Sequence, residues 1–296
     1  MELNLKNVGL MGRLDDVSIL STVQQIVLFL SAKGINVILE ASLAEKFLAG
    51  QQTQWQVSRL KMMGEVCDLV IVIGGDGCFL GAARALAQHQ TPVIGVNRGK
   101  LGFLTDIMPQ HVETQLTAIL AGEYTIESRF LLECQVKRAG SPVGNGSALN
   151  DVVLHPARVV QMIEFELHIE GKFVYTQRSD GLIITTPTGS TAYALSGGGP
   201  IMHPSLDAIT LVPMFPHTLT SRPLVVPANS EIKLIIGSSK LTAPQISCDG
   251  QPGIQLEVGD VVYVNKKSHK LNVLHPLQHN FYEVCRSKLG WSSRLT

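Results

Sequence analysis

The chain has 296 residues, room for one large domain or two ordinary ones, and is 45% hydrophobic and 16% charged, as a globular chain with ample core requires. Its 24 basic residues balance its 24 acidic ones, so no basic stripe marks a nucleic-acid binder, and no apolar run approaches the ~18 residues of a membrane span. The five cysteines (Cys67, Cys78, Cys134, Cys248, Cys285) are scattered and never CxxC, which argues against a zinc site and for reduced thiols in a cytoplasm.

The start, "MELNLKNVGLMG", has no basic region followed by an apolar stretch, so no signal peptide is expected. "NVGLMG" (7–12) reads as a strand, "ILSTVQQIVLFLSAKG" (19–34) as a helix ending at Gly34, and "INVILE" (35–40) as a strand followed by a helical stretch. "DLVIVIG" (68–74) is the third strand, "CFLGAARALAQH" (78–89) the third helix and "PVIGVN" (92–97) the fourth strand. Strands alternating with helices imply a parallel, doubly wound sheet, and continuously apolar strands imply one buried on both faces. From about Arg129 the pattern changes: "FLLECQVKR", "ALNDVVLH", "MIEFELHIEGKFVYTQ", "DGLIITTP", "AITLVPM", "PLVVPA", "EIKLIIG", "QISCDG" and "DVVYVN" read as strands separated by turns. "NFYEVCRSKLGW" (280–291) reads as a helix. The expected organisation is an α/β domain over 1–127, a β-rich domain over 128–279 and a tail over 280–296 that returns to the first domain.

Two motif readings fail. Gly75-x-Gly77-x-x-x-Gly81 is one residue too long for a dinucleotide fingerprint, and it follows the third strand rather than the first. "GVNRGKL" (95–101) has three residues between its glycines instead of the four of a phosphate-binding loop, and Leu101 stands where a hydroxyl would hold Mg²⁺. What remains is Gly74-Gly75-Asp76-Gly77 at the carboxyl end of a parallel strand, where open α/β sheets bind ligands. Asp76 there either caps a helix starting near Cys78, binds a metal, or accepts a proton from a hydroxyl beside a phosphate. Arg98 and Lys100 read as loop charges next to this turn; His203 and His217, near prolines, read as structural.

"VIGGDGCFLGAAR" followed by "VIGVNRGKLGFLTD" (93–106), "LNDVVLH" (149–155), "RSDGLIITTPTGSTAYALSGGGP" (178–200) and "SCDGQ" (247–251) together resemble the NAD kinase family, in order along nearly the whole chain. The GGDG element alone is shared with phosphofructokinases and with lipid kinases; with "TPTGSTAY" it is specific. The resemblance implies transfer of the terminal phosphate of ATP to the 2′-hydroxyl of the adenosine ribose of NAD, giving NADP, with a divalent cation (Mg²⁺ or Mn²⁺). It implies a site in the cleft between the two domains, Asp76 as general base, Gly77 lining the nucleotide and Phe103 near the adenine. Asn150 and Asp151 match a pair usually written Asn-Glu, with the acid here one methylene shorter. Arg178 and Asp180 match ligand-contacting positions. Thr188 and the run Thr191, Ala192, Tyr193, Ala194, Leu195 and Ser196 match the nucleotide-binding turn, and Gln251 a further contact. Family members assemble as dimers or tetramers with neighbouring subunits completing the site, so a homodimer or homotetramer is expected.

The residues fit that allocation. A ribose hydroxyl is a poor nucleophile that a carboxylate within hydrogen-bond reach activates, and the rest of phosphoryl transfer is positioning and charge neutralisation. Three other functions compete. A sugar kinase would need a downstream "TID"-type element with a second aspartate, which the sequence lacks; a lipid kinase would need an apolar or basic membrane-facing patch; a non-catalytic dinucleotide sensor would have no demand for Asp76.

Overall fold

The computed structural model describes residues 5–13, 17–47, 55–99, 102–157, 162–237 and 244–291. The chain divides into two units, Met1–Ser128 with Lys270–Thr296, and Arg129–His269.

In the first unit, β1 (Asn7–Gly12), α1 (Val17–Ala32), β2 (Asn36–Glu40), α2 (Ala41–Phe47), β3 (Gln56–Ser58), α3 (Leu60–Val66), β4 (Leu69–Ile73), α4 (Asp76–Leu86), β5 (Val93–Val96) and α5 (Val112–Leu120) follow in order. The strands lie side by side as β3-β2-β1-β4-β5, all parallel. The chain therefore winds outward from β1 to β3, then crosses back to lay β4 on the other side of β1. That reversal is the switch point at which doubly wound sheets bind ligands, and the GGDG turn follows β4 there. Every residue of β4 is buried, because helices cover both faces of the sheet. Helix α1 buries Ile19, Val23, Ile26, Val27 and Leu30, one helical face, and ends where Gly34 adopts a left-handed φ of 73°. The short β3 and α3 were not separately expected: "QVS" is mostly exposed and has no apolar run. α5 was also not expected, although Val112, Leu116 and Ile119 recur at helical spacing.

The second unit is all antiparallel where its pairings are resolved, with β6 (Tyr124–Arg138), β7 (Ser141–Ala148), β8 (Asp151–Pro156), β9 (Ile163–Ile169), β10 (Lys172–Ser179), β11 (Gly181–Thr185), the short helix α6 (Tyr193–Ser196), β12 (Ala208–Met214), β13 (Leu224–Pro227), β14 (Ile232–Ile236), β15 (Pro244–Cys248), β16 (Ile254–Gln255) and β17 (Val261–Pro276). One sheet runs β13-β12-β11-β8-β15-β16; in the other, β10-β9-β14-β17 are neighbours and β6 joins β17 to β7. Val152, Leu154, Leu182, Ile184, Leu211 and Ile246 of the first pack with Phe165, Leu167, Ile232, Leu234, Val262 and Val264 of the second in one core. In β9 and β14 burial alternates, so one face looks inward. In β8, β11 and β12 nearly every residue is buried, because Ala194 of α6 seals the outer face with Val153, Ile183, Val212 and Met214.

The chain re-enters the first unit at Lys270, inside β17, and not at residue 280 as the sequence suggested. Val273 pairs in parallel with Val93 of β5, and Leu274 joins the first unit's core. The polar stretch "KKSHK" (266–270) hides this continuity in the sequence. Helix α7 (Phe281–Leu289) follows, its N-terminus capped by the Asn280 side chain, which accepts the N–H groups of Tyr282 and Glu283.

Gly95 of β5 lies against the backbone of 104–105: a Cβ there would stand 2.6 Å from the Leu104 carbonyl oxygen and 2.7 Å from Thr105 Cα. Backbone cannot step aside as a flexible side chain can. Gly95→Ala should lose ~1–3 kcal/mol of stability, read from the urea-denaturation midpoint at unchanged m-value.

Candidate active site

In the first unit the candidate residues gather at the end of β4. Gly74 has φ of 157°, and a Cβ on it would stand 3.0 Å from Cys78 Cβ. Gly75 and Gly77 are exposed and face open space, so their backbone is approachable. Helix α4 starts at Asp76 itself, with Gly75 as N-cap and no side-chain cap bond. The expectation of an aspartate capping a helix near Cys78 is therefore corrected. The Asp76 carboxylate reaches sideways: Oδ2 accepts the Phe103 N–H (3.0 Å), and Oδ1 accepts the Leu104 N–H (3.1 Å) and the Thr105 hydroxyl (3.4 Å). Gly102 makes this possible, since a Cβ there would lie 2.2 Å from Asp76 Oδ1. Phe103, half-buried, is thus tied to Asp76 through its backbone. Arg98 is exposed beside the turn and donates to the Arg13 carbonyl oxygen (3.4 Å); Lys100 lies outside the described residues.

The second unit repeats the device. Asp249, at a left-handed φ of 49°, accepts the N–H groups of Leu149 (2.9 Å), Asn150 (2.8 Å) and Asp151 (3.3 Å). The Asn150 carbonyl in turn accepts the Thr186 N–H (2.9 Å) and the Thr185 hydroxyl (3.1 Å). Gly189 nestles on the same strand end: a Cβ would stand 2.3 Å from the Asn150 carbonyl oxygen. The turn Thr188–Thr191 is thereby seated on Asn150 and Asp151, with the buried Arg129 donating to Thr188 Oγ1 (3.3 Å). Asn150 Oδ1 is buried without a hydrogen-bond partner, an acceptor held ready for a donor. Gln251, exposed, follows in the same Asp249 turn, its N–H bonded to the Cys248 carbonyl (3.0 Å).

Not all predicted residues share that corner. Arg178 and Asp180 flank the start of β11, opposite to the end that carries Thr185 and the Thr188 turn. Asp180 N–H bonds the Met214 carbonyl, and the Arg178 carbonyl accepts from His217 N–H, so the backbone of both ties to the 214–217 segment. Tyr193, half exposed, and Ser196 line a cavity of about 510 Å³ with Met214, Phe215 and Pro223. In the turn between these groups, Ala192 and Leu195 are half-buried, whereas the Ala194 side chain is fully buried and packs the turn onto the sheet. Sequence reading gave no role to Asp249, Gly102, Thr105 or Arg129. A signal existed for Asp249: it is a second Asp-Gly at the end of a buried strand, like Asp76-Gly77.

Burial and the neighbouring Asp249 carboxylate push the Asp151 carboxyl up to about 7. Both causes disfavour the charged form. The sequence reading expects a divalent cation and leaves its ligands unassigned; among the described residues, one group of three possible ligands is placed together, Asp106 with His275 and His279.

Residues 8–124 match the family model of the ATP-NAD kinase N-terminal domain, and 149–276 that of the ATP-NAD kinase C-terminal domain. The chain is 56% identical to the NAD kinase of Azotobacter vinelandii, over 99% of this chain and 98% of that protein. It is 59% identical to the NAD kinase of Hahella chejuensis, over 97% and 96%. The crystal structure of yeast NADH kinase complexed with NADH superposes with a TM-score of 0.89 at 28% identity, covering 99% of this chain and 90% of that one.

A carboxyl raised in the folded state contributes most to stability below its ordinary range, and the contribution is lost as pH rises through the folded value. Asp151→Asn removes the titration. Between about pH 4 and pH 8 the stability difference should therefore move in the variant's favour by on the order of 3 kcal/mol, measured by urea denaturation of both proteins at each pH.

Proposed function

The chain belongs to the ATP-NAD kinase family, and from that premise we propose which of its residues carry the reaction. The reaction is transfer of the terminal phosphate of ATP to the 2′-hydroxyl of the adenosine ribose of NAD, which yields NADP. The observation that supports the assignment best is Asp76: a carboxylate at the switch point of a parallel sheet, between glycines that face open space.

Asp76 Oδ1 accepts from two donors, but Oδ2 accepts from Phe103 N–H alone. A carboxylate oxygen has two lone-pair sites, so Oδ2 has one left for the ribose hydroxyl. As the hydroxyl oxygen bonds to phosphorus its proton passes to Oδ2, and the displaced bridging oxygen leaves with ADP. The exposed backbone of Gly75 and Gly77 admits a phosphate at the start of α4, where amide N–H groups and the helix dipole favour negative charge. The reaction would also draw on a divalent cation, Mg²⁺ or Mn²⁺, to neutralise phosphate charge; with the Asp76 lone pairs taken by the turn and the ribose hydroxyl, phosphate oxygens and water would hold it. In the second unit, Asn150 Oδ1 suits an adenine amine or a ribose hydroxyl, and Asp151, Asp180 and Gln251 suit hydroxyls or the nicotinamide amide. Thr188 and the run Thr191 to Ser196 would line the nucleotide, with Tyr193 offering a ring face. Arg178, exposed, would meet a phosphate. We infer also a homodimer or homotetramer, which the strongly exposed Phe215 and Leu219 favour, and a cytoplasmic location, which fits five free thiols. Among the described residues, no helix is long and apolar enough to cross a membrane.

Asp76→Asn is a revealing test because both carboxylate oxygens accept N–H groups, so an amide must set its own NH₂ against one of them. The variant should lose ~1–3 kcal/mol of stability. Its kcat should fall ~10²–10⁴-fold while NAD binding by calorimetry persists, with NADP read by an NADP-specific dehydrogenase. Near-wild-type turnover in the folded variant would remove Asp76 as the base. Gly77→Ala separates the glycine turn from folding: its Cβ meets open space inside α4, so stability should hold or rise by up to ~1 kcal/mol while KM for ATP or NAD rises.

A further inference from the structure

We propose that His275 and His279 are positioning residues for Asp76, acting through Asp106 and the turn 102–105. The inference rests on Asp76 as the reacting carboxylate. It adds a source for that carboxylate's placement, in a segment far along the chain.

The Asp76 carboxylate is held by the N–H groups of Phe103 and Leu104, so its position is only as fixed as theirs. Their turn closes on itself through Gly102 N–H to the Thr105 carbonyl (3.0 Å). Its fully buried Thr105 also presents that carbonyl to Asn97 Nδ2 (3.4 Å). Asp106 comes next, and Ile107 then pairs with Val96 at the end of β5. The turn therefore has two anchors, the β5 bridge on one side of Asp106 and the Asp106 side chain itself.

That side chain is 8% exposed, and its Oδ2 accepts from His275 Nδ1 (2.8 Å) and His279 Nδ1 (2.9 Å). An ionised carboxylate only accepts, so both imidazoles carry their proton on Nδ1. The rings stack with centroids 3.9 Å apart and 20° between planes. Asp106 Oδ1 is buried without a hydrogen-bond partner, so the two imidazoles satisfy this carboxylate alone, and removing one leaves a buried charge half-supported. Burial opposes ionisation, but those two bonds together with the electrostatic pull of the same two imidazoles hold the Asp106 carboxyl down to about 2. On its other side His275 Nε2 faces Glu127 Oε2 at 3.7 Å. The same three side chains have the composition of a metal site, but ligand atoms each ~2.0–2.1 Å from a tetrahedral ion stand about 3.3 Å apart. Separations of 2.8 and 2.9 Å are those of hydrogen bonds.

Both histidines belong to the returning segment: His275 closes β17, and His279, whose N–H bonds the Pro276 carbonyl, leads into the capped start of α7. His275 and Asp106 are 169 residues apart in the chain. The catalytic turn is thus completed only when this segment is docked.

The test uses the full-length protein and His279, the more accessible of the pair. His279→Ala removes an Nδ1 donor; His279→Asn restores an N–H at nearly the same place. His279→Gln, which keeps size and polarity but carries its donor further out, serves if alanine does not fold. The expected result for His279→Ala is faster hydrogen exchange at the Phe103 and Leu104 amides with β1 and β4 amides unchanged. With it, kcat should be lower by about 10- to 100-fold and KM for NAD and ATP nearly constant, both restored by His279→Asn. Unchanged exchange at Phe103 and Leu104 in a folded variant would overturn the proposal. Faster exchange with unchanged kcat would also overturn it as a statement about catalysis. If Asp76→Asn were then active too, the fault would lie with Asp76 as base; if Asp76→Asn were dead, with the histidines as its support.

Discussion

An aspartate that ends a buried strand and collects the backbone N–H groups of a neighbouring loop is the interaction on which the rest depends. Each unit has one at its candidate site: Asp76, after β4, takes Phe103 and Leu104, and Asp249, after β15, takes Leu149, Asn150 and Asp151. A charged acceptor gives shorter and stronger bonds than a neutral one, and several amides on one carboxylate fix a loop in position as well as in distance. Irregular backbone has no ladder to satisfy its N–H groups, so a carboxylate supplied by the adjoining strand end takes the place of one. The glycines around these sites follow from the same constraint. Gly102 and Gly189 are where backbone or carboxylate approaches closer than any Cβ allows.

The two aspartates differ in what surrounds them. Asp76 is half-buried, and its Oδ2 accepts from Phe103 N–H alone, so the group that holds the loop keeps acceptor capacity. Asp249 stands beside another carboxylate, Asp151, whose ionisation burial already opposes. In the second unit, then, the neighbour of the holding residue titrates near neutrality. Asp151 is buried, with its backbone N–H on the Asp249 carboxylate.

How much could be read in advance followed from whether a feature is local. Strand β4 and its glycine turn were legible because five buried apolar residues stop at Gly-Gly-Asp-Gly. The β-rich character of the second unit was legible because its strands are separated by turn residues at short intervals. β3 was not, since an edge strand of three mostly exposed residues carries no period. The second half of β17 was not, because lysines and a histidine interrupt the apolar alternation before Leu271. The individual residues at 149–151 and 188–196 were recognisable by resemblance. What joins them is the Asp249 carboxylate, in an Asp-Gly pair that taken alone reads as an ordinary turn. The Asp106 cluster was invisible for a different reason: nothing near Asp106 in sequence hints at two imidazoles arriving from the other end of the chain.

The first unit is discontinuous, its sheet begun by residues before 129 and joined by residues after 269. During synthesis the all-β unit, continuous from Arg129 to His269, has every strand it needs before the α/β unit has its last one. The earlier-made segment must wait, with β5 presenting an unpaired edge along Val93, until Val273 is made. A growing chain therefore passes through an interval in which the glycine turn after β4 already exists but the clasp behind it does not. In that interval the exposed edge of β5 is open to pairing with another chain.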